Sequence, residues 1–239
     1  SAIYVEKPLG RTVAEYKQLN SQFLASKFAV GFQRRSLGAV SLLKKLVAEE
    51  IFGRLVKVEF RHGGSANVFS GKAFSSDSQL AAGGVFFEHG IHGLDLALYI
   101  SGAKKAKSYR VNTIIEKGFD VHAEGQVTLT NSSSEFELDF KVSWLTEVGE
   151  GLTFVFDNAL VDMSIGNPGI SLKSCDGKAL LTLADTPTLY PTTGFQVLGE
   201  FWRSFINAIQ TETENYTSMS SFLLTTEVIE QIYVRGTEL

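Results

Sequence analysis

Three ionisable residues recur at helical spacing within an otherwise apolar stretch. If residues 88–95 form an α-helix with about 100° per residue, Glu88, His92 and Asp95 lie on one stripe of its surface. An imidazole titrates near neutrality, so beside two carboxylates His92 could hold or pass a proton. Two other interpretations stay open. Glu88 could stabilise the helix N-terminus while His92 and Asp95 form a structural hydrogen bond, or all three could bind a metal.

Lys7 is a second candidate for chemistry. It ends the strand-like run IYVEKP and precedes Pro8, which holds the backbone of Lys7 in an extended conformation. Ligands of open α/β sheets bind at the carboxyl ends of the strands, where a lysine can stabilise developing negative charge on a substrate oxygen. The alternative is a solvated surface lysine.

Arg34 and Arg35 follow the strand-like run KFAVGF, so in a parallel sheet they lie at the same edge as Lys7. A solvated pair is the favoured interpretation. The alternative is that one of the two guanidinium groups meets an anionic group of a ligand.

The first third of the chain alternates between strand and helix periods. IYVEKP, KFAVGF and LVKVEF are strand-like, and two amphipathic segments separate them. Thr12 with Glu15 three residues later indicates a helix N-terminus. This order predicts a parallel α/β unit.

The rest of the chain is rich in β-like runs broken by short turns, which predicts an antiparallel sheet of about six strands. The alternation in EFELDFKV indicates one wet and one buried face. Two helices, GFQVLGEFWRSFINAIQ and SMSSFLLTTEVIEQIYV, close the sequence. The predicted fold class is therefore α/β (α+β): a remnant of a parallel Rossmann-type unit, then a large, mostly antiparallel open sheet with helices on one face.

Composition excludes several classes of protein. The 239 residues carry a net charge of −4, which argues against nucleic acid or an anionic membrane as a partner. No apolar run reaches the ~20 residues of a membrane span. A single cysteine, Cys175, suits a reducing, cytoplasmic location, and with four histidines it disfavours a metal site. No Gly-x-Gly-x-x-Gly occurs, so no dinucleotide phosphate loop is visible.

Four motifs occur in a recognisable order. Glu6-Lys7-Pro8 ends a strand; VGFQRR leads to a helix; AGGVFFE at 82–88 runs into GIHGLD; and FWRSFINAI precedes a serine-capped terminal helix. Together they resemble the glucose–fructose oxidoreductase / inositol dehydrogenase / rhizopine-catabolism (Gfo/Idh/MocA) family of NAD(P)-dependent dehydrogenases, over nearly the whole chain.

The resemblance implies a dinucleotide-binding domain, of which residues 1–53 are the C-terminal remnant, and a substrate-binding and oligomerisation domain at 54–239. It implies Lys7, His92 and Glu88 as catalytic residues, with Asp95 in support of His92. The residues implied for cofactor binding are Glu6, Lys7, Pro8 and Arg35. No metal site is implied.

Two departures from the family pattern are visible. Glu88 stands where the family generally has aspartate, and Ala82 replaces a glycine. The first Rossmann strands and their glycine-rich turn are also missing. On the architecture of the family, we expect about a hundred residues before Ser1. We therefore expect this chain alone to bind NAD or NADP weakly and to be inactive.

The expected function is that of the substrate-binding portion of a dehydrogenase acting on the CH–OH group of a sugar, polyol or related small molecule. A homodimer or homotetramer through the open sheet face is expected. The loop at 61–79 should select the substrate. The alternative is a non-catalytic binding or oligomerisation module without a cofactor domain.

Overall fold

Two short parallel strands joined by a helix begin the fold. The computed structural model describes residues 1–64, 83–165, 169–183 and 194–236. β1 (Ile3–Val5) pairs in parallel with β2 (Phe28–Val30), and α1 (Val13–Asn20) connects them. Thr12 Oγ1 accepts a hydrogen bond from Glu15 N at 3.2 Å, as the capping pattern predicts. The predicted parallel α/β beginning is confirmed.

The third predicted strand does not continue this parallel pair. A 3₁₀ turn (Gln33–Ser36) follows β2 and leads into α2 (Gly38–Ala48). β3 (Leu55–Gly63) then joins a separate sheet of eight strands. The prediction of its parallel partners was wrong because strand periodicity identifies a strand and not the distant segment that pairs with it.

The eight-stranded sheet has the order β10-β9-β8-β7-β3-β6-β5-β4. Its neighbours are antiparallel except for β3 and β6, which are parallel. The fold class and the mostly antiparallel sheet are therefore confirmed. The strands after β3 are β4 (Lys105–Glu116), β5 (Phe119–Thr130), β6 (Glu135–Ser143), β7 (Gly149–Phe156), β8 (Leu160–Met163), β9 (Ile170–Lys173) and β10 (Ala179–Leu183).

One face of the large sheet is buried and the other carries polar side chains. On β6, Phe136, Leu138 and Phe140 are buried, whereas Glu137 and Asp139 between them are partly exposed. The alternation of EFELDFKV predicts this arrangement, because successive side chains of a strand point to opposite faces.

Three helices complete the described part of the fold: α3 (Ile91–Ser101), α4 (Gly194–Thr211) and α5 (Leu223–Gly236). α3 is buried over most of its surface and lies against β3. Gly93 permits this contact, since a Cβ at that position would lie 2.3 Å from the ring of Phe60. A glycine is needed wherever two elements approach so closely.

The C-terminal helices also cover the first two strands. Phe201 and Phe205 of α4 pack with Ala29 of β2, and Tyr4 of β1 lies with its ring centroid 5.6 Å from that of Phe201.

The boundary between a dinucleotide-binding remnant at 1–53 and a second domain at 54–239 stays a prediction. Within the described ranges, no helix has the length and apolar character needed to cross a membrane.

Candidate active site

Lys7 extends from the end of β1 to the segment that precedes α3. Its Nζ donates a hydrogen bond to the backbone oxygen of Glu88 at 3.1 Å, and the peptide between Lys7 and Pro8 is cis. Burial lowers the pKa of the Lys7 ammonium, with Arg34 adding to the effect and Glu88 opposing it. Lys7 is thus a partly buried cation, and the alternative of a solvated surface lysine does not hold.

The segment before α3 is a π-turn, Phe86–Gly90, rather than the start of a regular α-helix. Ile91 N donates to Phe86 O, five residues earlier. The extra residue in this turn changes the angular positions that regular helical spacing predicts for Glu88 relative to His92. π-turns are frequent at functional sites.

Asp120 of β5 anchors this turn. One carboxylate oxygen accepts from Gly84 N at 2.6 Å and from the hydroxyl of Tyr233 at 2.8 Å, and the other accepts from Phe86 N at 2.8 Å. A Cβ on Gly84 would lie 2.0 Å from the backbone oxygen of Asp120, so only glycine fits here. The beginning of the helical segment is therefore fixed by a buried carboxylate on the sheet.

His92 lies in the first turn of α3, and its ring is in edge-to-face contact with Phe32 at 6.3 Å between centroids. Burial lowers its pKa to about 3, and the charges of Arg34 and Lys7 add to the effect. The expectation that His92 titrates near neutrality beside two carboxylates is corrected: its electrostatic neighbours are cations. It is therefore a neutral imidazole at physiological pH.

Asp95 does not support His92. Its two carboxylate oxygens accept from Arg35 Nε at 2.9 Å and from Arg35 Nη2 at 2.5 Å, in a fully buried ion pair. Arg35 also donates from Nη1 to Tyr216 O at 2.7 Å and to Ser221 Oγ at 2.9 Å. Asp95, the last residue of the predicted stripe, therefore makes a structural contact with Arg35.

The same contacts correct two expectations for Arg35. It is not part of a solvated pair, because it is only 3% exposed and its guanidinium carbon lies 4.2 Å from the centroid of the Phe222 ring. It is not oriented toward a cofactor either, since its nitrogens contact the protein interior. A buried bidentate pair of this kind positions helix α3 against the turn that follows β2.

Glu88 contacts Lys7 through its backbone oxygen and not through its carboxylate. Its side chain is 51% exposed, and Oε1 lies 4.0 Å from His89 Nε2. Glu6 accepts a hydrogen bond from the Tyr4 hydroxyl at the end of β1. The structure therefore brings Lys7, Glu88 and His92 together and places Asp95 and Arg35 in a separate contact.

Sequence reasoning missed two histidines near His92, namely His62 and His89. The rings of His62 and His89 lie 4.8 Å apart between centroids, and Trp144 lies 6.4 Å from His89. A signal for His62 was available: it follows Val58 and Phe60 at spacings of two, so it occupies an inward-facing position of β3.

Most of the segment expected to select the substrate lies outside the described residues. Of the segment 61–79, residues 65–79 lie outside the described residues, as does Ala82. Among the residues that are described, no group of three or more histidine, cysteine, aspartate or glutamate side chains is arranged to hold a metal ion.

A family comparison identifies the chain. A model of the GFO/IDH/MocA C-terminal domain matches residues 40–159, which is half of the sequence. This chain belongs to the Gfo/Idh/MocA family. The resemblance drawn from the four sequence motifs is thereby confirmed, and the matched region contains β3, the π-turn and His92.

Solved structures of Gfo/Idh/MocA-type oxidoreductases share the fold. Levoglucosan dehydrogenase, in complex with NADH and levoglucosan, is 16% identical with a TM-score of 0.83, over 100% of this chain and 72% of that one. An aldose-aldose oxidoreductase from Caulobacter crescentus, complexed with glycerol, is 18% identical with a TM-score of 0.79, over 100% and 70%. An NAD binding oxidoreductase from Klebsiella pneumoniae is 13% identical with a TM-score of 0.82, over 100% and 72%. No curated protein sequence gives a significant match.

Proposed function

We propose that this chain is the substrate-binding part of an NAD(P)-dependent oxidoreductase that reversibly oxidises a CH–OH group of a sugar, polyol or related molecule. The observation that carries the proposal is the meeting of Lys7 with the turn that leads into His92. Structural neighbours support the substrate class, since they were solved in complex with levoglucosan, with glycerol and with L-tartaric acid.

Lys7 and His92 have complementary tasks in this chemistry. The Lys7 ammonium donates a hydrogen bond to the substrate hydroxyl oxygen and stabilises the negative charge that develops there. The neutral imidazole of His92 accepts the hydroxyl proton as the carbonyl forms. A bound nicotinamide supplies the acceptor for the hydride that leaves the carbon. Glu88 holds Lys7 in place through its backbone oxygen.

The residues at the ends of β1 and β2 fit one end of such a cofactor. Lys7 and Pro8 lie at the carboxyl end of β1, where dinucleotides bind in parallel α/β folds. Just after β2, a Cβ at Gly31 would lie 2.8 Å from the end of the Glu6 side chain, which would have to move to admit it. No glycine-rich phosphate loop occurs in the sequence, so we expect this chain alone to bind NAD or NADP weakly.

The open face of the large sheet is the proposed surface for a homodimer or homotetramer. Opposite charges are already paired there: Lys57 Nζ lies 2.5 Å from Asp139 Oδ2, and Lys141 Nζ lies 2.8 Å from Glu124 Oε2. Paired charges lower the cost of removing this face from water when a second copy covers it.

The proposed function is tested by cofactor reduction in a protein that carries this chain together with a dinucleotide-binding domain. We expect formation of NADH or NADPH with at least one member of a panel of sugars, polyols and sugar acids. Calorimetric binding of panel members without any cofactor reduction would contradict the enzyme and favour a non-catalytic binding module.

A further inference from the structure

Within the described residues, two buried polar atoms near Lys7 and His92 have no hydrogen-bond partner. Arg34 Nη1 and His62 Nδ1 are closed off from solvent, and neither makes a hydrogen bond within the described part of the chain. Buried polar atoms of folded proteins are nearly always paired, and an unpaired one destabilises the fold, more so when it is charged. Two such atoms on side chains that influence each other electrostatically indicate that a ligand pairs them.

The side chains concerned come from elements that converge on the proposed substrate site. Arg34 belongs to the 3₁₀ turn after β2, His62 to the inward-facing row of β3, and His89 to the π-turn. The rings of His62 and His89 are 4.8 Å apart. Arg34 acts electrostatically on both Lys7 and His92. The unpartnered atoms therefore border the catalytic pair.

The charge of Arg34 is not neutralised by the residues around it. Glu150 of β7 attracts it, but no carboxylate of the described residues lies within the 4.0 Å of an ion pair. The side chains of Glu150 and Glu88 are exposed, so water screens them. A partly buried guanidinium without an ion-pair partner favours a ligand that brings its own negative charge.

We propose that Arg34 and His62, with His89 beside them, bind an anionic group of the substrate, either a carboxylate or a phosphate. The planar fork of a guanidinium matches both groups in a bidentate manner. The inference rests on the proposed function only in taking the surroundings of Lys7 and His92 as the substrate site. The substrate is then an acidic sugar or a sugar phosphate rather than a neutral polyol.

This assignment also has a consequence for His92. The imidazole is held neutral by burial and by the cations Arg34 and Lys7. An anion bound to Arg34 would offset that positive charge and raise the affinity of His92 for a proton. Binding of the correct substrate would thereby strengthen the base that must accept its hydroxyl proton.

Calorimetric titration of the 239-residue chain tests the inference. The probes are D-gluconate, glucose 6-phosphate and the neutral polyol D-glucitol. We expect at least one anion to bind about 10- to 100-fold more tightly than glucitol, as for a charge-assisted contact. The tighter of the two anions identifies a carboxylate or a phosphate as the natural group. Equal binding of anions and glucitol, or no binding of either anion, would overturn the inference.

Substitutions locate the effect. Arg34→Gln should reduce anion binding to the level of glucitol, and His62→Asn should weaken it in the same direction. Arg110→Gln is the matched control, because Arg110 is exposed on β4. Loss of the anion preference in Arg110→Gln but not in Arg34→Gln would refute the site. Cofactor reduction does not enter this readout, so failure of the proposed oxidation would leave the result interpretable, and the reverse also holds.

Discussion

Lys7 and His92 share a partly buried environment that disfavours positive charge. Burial and the nearby cations lower the pKa of His92 to about 3 and also lower the pKa of Lys7. His92 is thus neutral in the free protein but a weak base, and in the proposed reaction Lys7 keeps its proton and donates a hydrogen bond to the substrate oxygen. The two roles follow from one environment, which disfavours positive charge on both groups and leaves it on the more basic one.

The ion pair of Arg35 and Asp95 gives a prediction at the scale of single residues. Asp95→Asn leaves a buried guanidinium without its counter-charge, and we expect unfolding free energy to fall by about 3–5 kcal/mol. Asp162→Asn is the control, since Asp162 pairs with Lys173 at a partly exposed site and should cost about 1 kcal/mol or less. Urea denaturation measures both. Equal losses would contradict the structural role of Asp95.

At the scale of elements, the π-turn depends on Asp120. Its carboxylate accepts three hydrogen bonds, two of them from backbone N–H groups of the segment that carries Glu88 and His89. Burial raises the pKa of Asp120, and those hydrogen bonds oppose the rise. The turn is therefore held from the sheet and not by its own helical propensity.

Replacing Asp120 by asparagine should loosen this segment. The amide retains one acceptor oxygen and presents a donor to a backbone N–H, so we expect a loss of about 1–3 kcal/mol. Hydrogen exchange of the amides at Gly84 and Phe86 should become faster than in the control Asp139→Asn, which alters the open face. Unchanged exchange at these two amides would show that the turn does not need the carboxylate.

Elements were predictable to the extent that they depend on local pattern. The alternation on β6 and the cap at Thr12 follow from neighbouring residues, and both are confirmed. The pairing of β3 with β6 and β7 was not predictable from periodicity, because those strands lie far along the chain. Asp95 likewise finds its partner 60 residues earlier, which no helical spacing can indicate.

At the scale of the whole molecule, the proposed site lies where two sheets meet. Lys7 comes from the end of the parallel pair, whereas His62 comes from the large sheet. A cofactor approaching the parallel strands and a substrate approaching the large sheet would meet at Lys7 and His92. The motif Glu6-Lys7-Pro8 pointed to this place from the sequence, but Arg34 and His62 required the three-dimensional arrangement.

The proposed assembly through the open sheet face is tested by sedimentation velocity. We expect the chain to sediment as a dimer or tetramer, and Gln126→Glu on that face to shift it toward the monomer, because the new carboxylate would lie beside that of Asp139. Gln18→Glu, on the exposed side of α1, should leave the assembly intact. A monomeric wild-type chain would refute the proposed surface.

The central claim is that His92 accepts the substrate proton, and the turnover of His92→Asn tests it most directly. In a protein that includes the dinucleotide-binding domain, kcat for NAD(P)H formation should fall by about 10²- to 10⁴-fold while the melting temperature is retained. His122→Asn is the matched control, since His122 Nε2 lies 3.4 Å from Glu124 Oε2 on β5 and His122 is not among the charges that act on His92. Near-normal turnover in His92→Asn would contradict the assignment.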